Sequence, residues 1–467
     1  MPDFDLDLVV IGSGPAGHHA AIQAAKLRKR VMVVERKAIV GGICINVGTI
    51  PSKTMREAVL YLSGYREHAI YGESYRVKEK ITLQDLLLRV APVVTHEIDV
   101  MRHQLLRNRI ELVHGEASFI DQHTLNLSFG VERGSRLVTT DKVVIAVGTE
   151  AARDGNIMVD GRCVFSSDDI LEMKDLPQTL TVIGVGVIGC EYASIFAALG
   201  VRVTVIDKRP RLLPFVDAEL IETLDYHLRA KRVLLRLGEE VSHVDLVEDA
   251  NGRRVSISLA SGKRIVSDCV LCSTGRNGAT TQLGLEAAGL SADSRGRLAV
   301  NRVFQTEVSN IYAAGDVVGF PSLASTSMEQ GRIAACHAFG VEVQPTPDLF
   351  PYGIYTIPEI SFVGRNEEEL TEAGVPYETG KASYNEIARG QIVGDSIGFV
   401  KLLFHRDSRE LLGVHIIGEG AVELVHIGQA VLAHRGKVDY FIDTVFNYPS
   451  LAECYKNAAF DGLNRLI

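Results

Sequence analysis

Short apolar runs that end in glycine recur along the chain and set the first expectations. In "DLVVIGSGPAGHHAAIQAAKLRKRVMVVER", residues 8 to 11 are continuously apolar, which predicts a strand buried on both faces of a parallel sheet. The run breaks at Gly12, Gly14 and Gly17, passes into an alanine-rich helix, and resumes as a strand from Val31 to Val34 that closes on Glu35. The same order returns in "TLTVIGVGVIGCEYASIFAALGVRVTVIDKR", with Gly184, Gly186 and Gly189 at the turn and Asp207 at the end of the second strand. "NIYAAGDVVG" predicts a short strand leading to Asp316. "PSLASTSMEQGRIAACHAFG" predicts a helix with Ser325 or a neighbour as N-cap. "VVIAVGTE" and "VLCSTGRN" are two further strand-then-glycine segments, expected where the chain crosses between domains. The alternation in "GFVKLLFHRDSRELLGVHIIG" predicts an antiparallel hairpin, followed by a helix in "AVELVHIGQAVLAHRG".

The glycine spacing has a mechanical meaning. In a strand–turn–helix unit the three glycines serve the tight turn, the close approach of backbone to a pyrophosphate, and the packing of helix on strand. The pyrophosphate then meets the free N–H groups of a helix N-terminus, and an acid at the end of the second strand accepts a ribose hydroxyl. Two such units predict two dinucleotides and electron transfer between them. Glu35 suits a ribose in the first site. In the second, Asp207 suits the free 2′-hydroxyl of NAD, whereas Lys208 and Arg209 could receive the 2′-phosphate of NADP or simply line a solvated loop.

Composition narrows the class. A chain of 467 residues is long for one domain. The expected order is an α/β fold with two Rossmann-like domains and a C-terminal α+β domain. The expected segments are 1–152 and 279–345 for the first domain, 153–278 for the second and 346–467 for the third. The balance of 49 basic and 58 acidic residues, net −9, disfavours nucleic acid or an anionic membrane surface as partner. No apolar stretch approaches the ~20 residues of a membrane span, and the acidic N-terminus lacks the basic start of a secretory signal, so a cytosolic protein is expected. The seven cysteines are odd in number and scattered, which is no disulfide framework. "CVLC" at 269 to 272 lies in an apolar run without a second ligand pair, so these are read as buried structural thiols rather than a zinc site. His415, His426 and His434, without a cluster of carboxylates, are assigned to structure.

Together these motifs resemble the two-dinucleotide flavoproteins of the pyridine nucleotide-disulfide oxidoreductase family, which includes dihydrolipoamide dehydrogenase, glutathione reductase and mercuric reductase. The resemblance runs from about residue 5 to the C-terminus. It implies FAD on the first unit, NAD(H) or NADP(H) on the second, and hydrogen bonding of Asp316 to the FAD ribitol. It also implies that the helix after Asp316 faces the flavin pyrimidine end, and that the C-terminal domain makes a homodimer or larger assembly. Arg36, Gly115, Gly148 and Gly275 fall at the expected cofactor edges.

"GGICINVGTIPSK", residues 41 to 53, departs from that family. Disulfide reductases carry a second cysteine where Thr49 stands, and a hydroxyl cannot form a disulfide. Gly41, Gly42 and Lys53 remain: the glycines let backbone approach the cofactor, and the ammonium can stand near flavin N5. Glu191 is the family's usual partner for that lysine, and Cys44 is read as a packing or flavin-contact residue. The C-terminal "FNYPSLAE" places Tyr448 where the reductases have a histidine. A phenol, with its ordinary pKa of about 10, is a poor general base at neutral pH. The relay and its acid–base partner are missing together.

What remains implies hydride transfer from NADPH to NAD⁺ through FAD, one nucleotide leaving before the other enters. "GTIPSKT", "GVIGCEYASIF", "GFPSLAS", "GIYTIPEIS" and "FNYPSLAE" are similar to the soluble transhydrogenating branch. Because the acid of "IDKR" is not required there, nucleotide preference does not carry over. Two rival expectations stand: a quinone or dye reductase of the same family, and a non-catalytic subunit of a multienzyme complex.

Overall fold

The computed structural model describes residues 4–72, 74–130, 134–152, 157–249, 252–344 and 349–466. The expected boundaries at 152–153 and 345–346 touch residues outside these. The chain divides into two compact units, Met1–Thr54 with Leu87–Arg153 and Gly275–Pro347, and Met55–Leu86 with Asp154–Thr274 and Asp348–Ile467.

In the first unit, Leu6–Ile11 is the inner strand of a parallel arrangement, flanked by Val31–Glu35 and by Ser135–Ile145. Glu111–His114 extends the sheet beyond Val31–Glu35, and Ile311–Ala313 joins alongside Ser135–Ile145. The uninterrupted apolar run is explained by burial on both faces. Val9 and Ile11 pack with Met32, Val34 and Val143 on one side. Leu8 and Val10 pack with Val31, Val33 and the alanines of helix Pro15–Lys26 on the other. Helix Ala324–Ala338 lies against that helix so closely that a Cβ on Gly331 would stand 2.0 Å from Ala16 O. Its N-cap is Leu323 in extended conformation, not Ser325. Nearby, the Thr326 hydroxyl donates back to Pro321 O and Leu323 O, and the Ser327 N–H bonds Leu323 O, so the helix is capped two residues before Ser325.

The second unit holds a parallel sheet in the order Leu234–Leu237, Arg202–Asp207, Thr179–Ile183, Cys269–Cys272, Val164–Ser166. Cys269 is buried and its thiol is pushed up to about 12 by burial, as expected of a structural cysteine. Cys272, at the strand end, is only partly buried, unlike the expectation. The C-terminal part of this unit is a five-stranded antiparallel sheet in which Phe399–His405 and Leu411–Ile417 form the expected hairpin. Helices Ala421–Ala433 and Glu453–Asn464 cover it. His415 is not remote from carboxylates: it is fully buried, donates or accepts at Nε2 with Arg365 O at 2.9 Å, and feels the charge of Asp217. Among the described residues no helix is long and apolar enough to cross a membrane.

Candidate functional site

The first glycine turn folds as its spacing predicts. Gly12 has φ 103° and donates to Val34 O at 2.8 Å; a Cβ there would meet Ala146 O at 2.3 Å. A Cβ on Gly17 would stand 1.9 Å from Gly12 O, so only glycine lets the helix close on the strand. Gly14 is the N-cap of Pro15–Lys26 and offers no side-chain cap, leaving first-turn N–H groups for an anion.

Glu35 ties this turn to the next loop. Its Oε2 accepts from Ser13 N at 3.0 Å and Ser13 Oγ at 2.7 Å, and its Oε1 accepts from Lys37 N at 2.9 Å. Ser13 Oγ in turn accepts the Gly41 N–H at 3.1 Å. Gly41 and Gly42 have φ 103° and 58°, and a Cβ on Gly42 would stand 2.9 Å from Gly14 Cα. Backbone therefore faces backbone across a cleft that a methyl group would fill, and these residues fit a bound dinucleotide. Ser13 was missed in the sequence, although it is the residue between the first two glycines of the motif. Gly115 donates to Glu35 O at 3.0 Å. Arg36 lines a cavity of about 380 Å³ with Glu150, Asn277 and Gln282. Gly148 and Gly275 sit at the same ribbon, where Thr149–Ala151 pairs antiparallel with Arg276–Gly278.

Cys44 lies on the short helix Gly42–Asn46 and Lys53 on helix Thr49–Leu62. Cys44 is hydrogen-bonded by the Thr49 side chain and feels the charges of Asp316 and Lys53. Burial pushes the Cys44 thiol up, and the Thr49 hydrogen bond only partly opposes it. Asp316 opens the turn after Ile311–Ala313, and its carboxyl is likewise raised by burial against the pull of Arg276. Arg276 is itself aimed by Thr149, to Oγ1 at 2.9 Å and to O at 3.0 Å. Neither Arg276 nor Thr149 was singled out from sequence; the only signal was their place in strand-then-glycine segments.

In the second unit, Gly184 has φ 105° with a Cβ position 2.5 Å from Ser273 O, and a Cβ on Gly189 would stand 2.0 Å from Gly184 O. Gly186 caps helix Val187–Ala198. Asp207 Oδ2 accepts Val185 N at 2.8 Å, and Oδ1 accepts Arg209 N at 2.7 Å. The Arg209 guanidinium adds Nε to Oδ1 at 2.9 Å and Nη2 to Oδ2 at 2.7 Å. Burial alone would raise the Asp207 carboxyl, but these Arg209 contacts hold it below the usual range. Lys208 is exposed. Glu191 is buried in helix Val187–Ala198, and its Oε1 accepts the Tyr355 N–H at 2.8 Å. Tyr448 is exposed.

Residues 6–331 match the family described as pyridine nucleotide-disulphide oxidoreductase, and residues 350–459 match its dimerisation domain. A protein of Mycobacterium tuberculosis named soluble pyridine nucleotide transhydrogenase is 52% identical, with 99% of this chain and 98% of that one covered. A protein of the same name from Colwellia psychrerythraea is 45% identical, with 99% of each covered. Among solved structures, LpdA of Mycobacterium tuberculosis superposes with TM-score 0.89 at 27% identity, covering 99% of this chain and 100% of that one. The HOCl-induced flavoprotein disulfide reductase RclA of Escherichia coli superposes with TM-score 0.85 at 26% identity, covering 97% and 99%.

Proposed function

The chain belongs to the pyridine nucleotide-disulphide oxidoreductase family, and we propose that within it the protein transfers hydride between NADPH and NAD⁺, NADPH + NAD⁺ = NADP⁺ + NADH, without a redox disulfide. The observation that carries this reading is the pair Cys44 and Thr49. The position from which a second thiol would complete a disulfide holds a hydroxyl that hydrogen-bonds the first. The family uses FAD, which when bound supplies a two-electron carrier able to take hydride from one nucleotide and give it to another.

The chain's own residues then have distinct tasks. Gly12, Gly14, Gly17, Gly41 and Gly42 let backbone N–H groups line the FAD pyrophosphate, and Glu35 holds that turn through Ser13. Arg36, Gly115, Gly148 and Gly275 border the same cofactor. Asp316 accepts from the ribitol, and Cys44 packs beside the ring system. Lys53 supplies a positive charge next to the site where negative charge develops, and Glu191 positions the segment beginning at Tyr355. Gly184, Gly186 and Gly189 receive the nicotinamide nucleotides in turn, with Asp207, Lys208 and Arg209 reading the adenosine ribose. Residues 1–152 and 279–345 carry FAD, 153–278 the nucleotide, and 346–467 the contact of a homodimer or larger assembly. The protein acts in the cytoplasm.

The deciding experiment is anaerobic. Holoprotein is mixed with NADPH and thio-NAD⁺, and menadione is offered as a competing acceptor. Fast formation of thio-NADH with parallel-line kinetics as both nucleotides vary supports one shared site. Negligible thio-NADH beside fast quinone reduction rejects it in favour of a quinone reductase.

A further inference from the structure

A carboxylate offers about four lone-pair positions, and the two ribose-facing acids of this chain use them differently. Glu35 accepts three hydrogen bonds, two at Oε2 and one at Oε1. One position on Oε1 is left for a ribose hydroxyl. Asp207 accepts four: Val185 N, Arg209 N, Arg209 Nε and Arg209 Nη2. It is saturated by its own chain. The difference traces to one substitution in the motif. Where the first turn has Ser13, whose hydroxyl donates once, the second has Val185, and a guanidinium takes over the vacated oxygen.

Arg209 is also the part of this arrangement that can move. The backbone beneath it is fixed, since Gly238 N bonds Arg209 O and Glu239 N bonds Asp207 O, both at 3.1 Å. The Asp207 side chain is 6% exposed, but that of Arg209 is 44% exposed. A guanidinium carries five N–H donors, of which two are spent on Asp207, leaving three directed outward.

Resting on the reading that one site takes both nucleotides, we infer that Arg209, aimed by Asp207, is the specificity-determining residue that admits the 2′-phosphate of NADP(H). The outward N–H groups bind phosphate while the inner pair stays on the carboxylate, so Asp207 orients the cation and its own charge is compensated. A 2′-hydroxyl has no free lone pair to donate to until the guanidinium gives up one oxygen. NAD(H) therefore enters by displacing Arg209 from half of Asp207, and NADP(H) enters without disturbing it.

The test isolates the ribose by calorimetric titration of holoprotein with adenosine 2′,5′-bisphosphate and with 5′-AMP. The unaltered protein is expected to prefer the bisphosphate. Arg209→Gln is expected to weaken bisphosphate binding about 10- to 100-fold, the range for losing a charge-assisted hydrogen bond. Binding of 5′-AMP is expected to hold or improve as Asp207 regains acceptor positions. Arg209→Lys, which keeps the charge but not the fork, is expected to fall between. Equal losses for both ligands, no preference in the unaltered protein, or a selective loss that falls on Lys208→Ala instead would each overturn the inference. Because no hydride moves in this titration, a selective Arg209 effect in a protein that fails the thio-NAD⁺ assay keeps the inference and rejects the proposed reaction. The converse result does the opposite.

Discussion

The carboxylate of Glu191 accepts the backbone N–H of Tyr355 at 2.8 Å, and one turn along the same helix Ser194 Oγ accepts the N–H of Ile357 at 3.1 Å. From another side Arg56 Nε donates to Thr356 O at 3.2 Å and Nη1 pairs with Glu359 at 3.1 Å. Three consecutive residues are thus gripped by buried side chains, and the Glu191 carboxylate holds a peptide in place. Glu191→Gln keeps an acceptor for Tyr355 and is expected to melt like the unaltered protein while exchanging nucleotides more slowly. Glu191→Ala also removes the acceptor and is expected to lose about 1–3 kcal/mol of stability. Thermal melts beside stopped-flow reduction by NADPH check this; a Gln variant that is normal in both removes Glu191 from the reaction.

Cys44 is expected to behave as a protonated, unreactive thiol at neutral pH. Burial raises it, and the Thr49 hydrogen bond and Lys53 oppose without reversing the effect. Since the thiolate is the nucleophile, alkylation of Cys44 by iodoacetamide, followed by mass spectrometry, should keep accelerating above the ordinary thiol range. A plateau near neutrality would contradict the burial argument. Thr49→Cys should lose a pair of titratable thiols on oxidation in air, yet reduce lipoamide poorly if, as the family resemblance implies, Tyr448 replaces the base of the disulfide reductases.

Gly42 combines φ 58° with a Cβ position 2.9 Å from Gly14 Cα. Gly42→Ala therefore meets both backbone strain and the opposite wall of the cleft. Strain alone costs about 1–2 kcal/mol of stability; it is the methyl in the cofactor cleft that should lower flavin affinity, by about tenfold or more, read as the flavin-to-protein absorbance ratio after dialysis. Gly374 has φ 64° with nothing within 4 Å of its Cβ position. Gly374→Ala carries similar strain elsewhere and should retain its flavin; equal flavin loss in both would dissociate Gly42 from the cofactor.

Much of the frame was legible because it depends on local rules. Glycine spacing, continuous apolar runs and terminal acids specify strand–turn–helix units without long-range information: the strand expected at residues 8 to 11 forms as Leu6–Ile11, two residues longer, and the second unit opens on Thr179–Ile183. The Ser325 cap was misread because Ser, Thr and Leu compete at one turn, and Thr326 hydrogen-bonds backward. Ser13, Arg276 and the saturation of Asp207 were hidden for a different reason. Each depends on which oxygen a donor reaches, which motif spacing does not encode. The carboxylate near His415 was hidden because Asp217, distant in sequence, is brought near it by folding, while its burial and its bond to Arg365 O agree with a structural role.

Lys401 shows how much that hidden layer can weigh. It is 2% exposed on strand Phe399–His405, and its ammonium donates to both oxygens of Asp217, itself 1% exposed, at 3.0 and 3.1 Å. Glu367 and Glu219 complete the surround. Burial would raise the Asp217 carboxyl, but the charges of His415 and Lys401 carry it below its ordinary value. Burial pushes His415 itself down, so at neutral pH Lys401 is the operative cation. A carboxyl depressed in the folded state contributes stability above its unfolded pKa and loses it as pH falls. The unaltered protein should therefore lose stability between about pH 5 and pH 3. Lys401→Met leaves Asp217 buried without its partner, at a cost of about 3–5 kcal/mol at pH 7; Glu219 and Glu367 are more exposed and add little. The sign of the pH dependence then reverses, because an unpaired buried carboxylate is relieved by protonation, and the variant should gain stability from pH 7 toward pH 5. Urea unfolding at pH 7, 5 and 3 reads both slopes, and parallel slopes in the two proteins would place the Asp217 charge outside the stability of this fold.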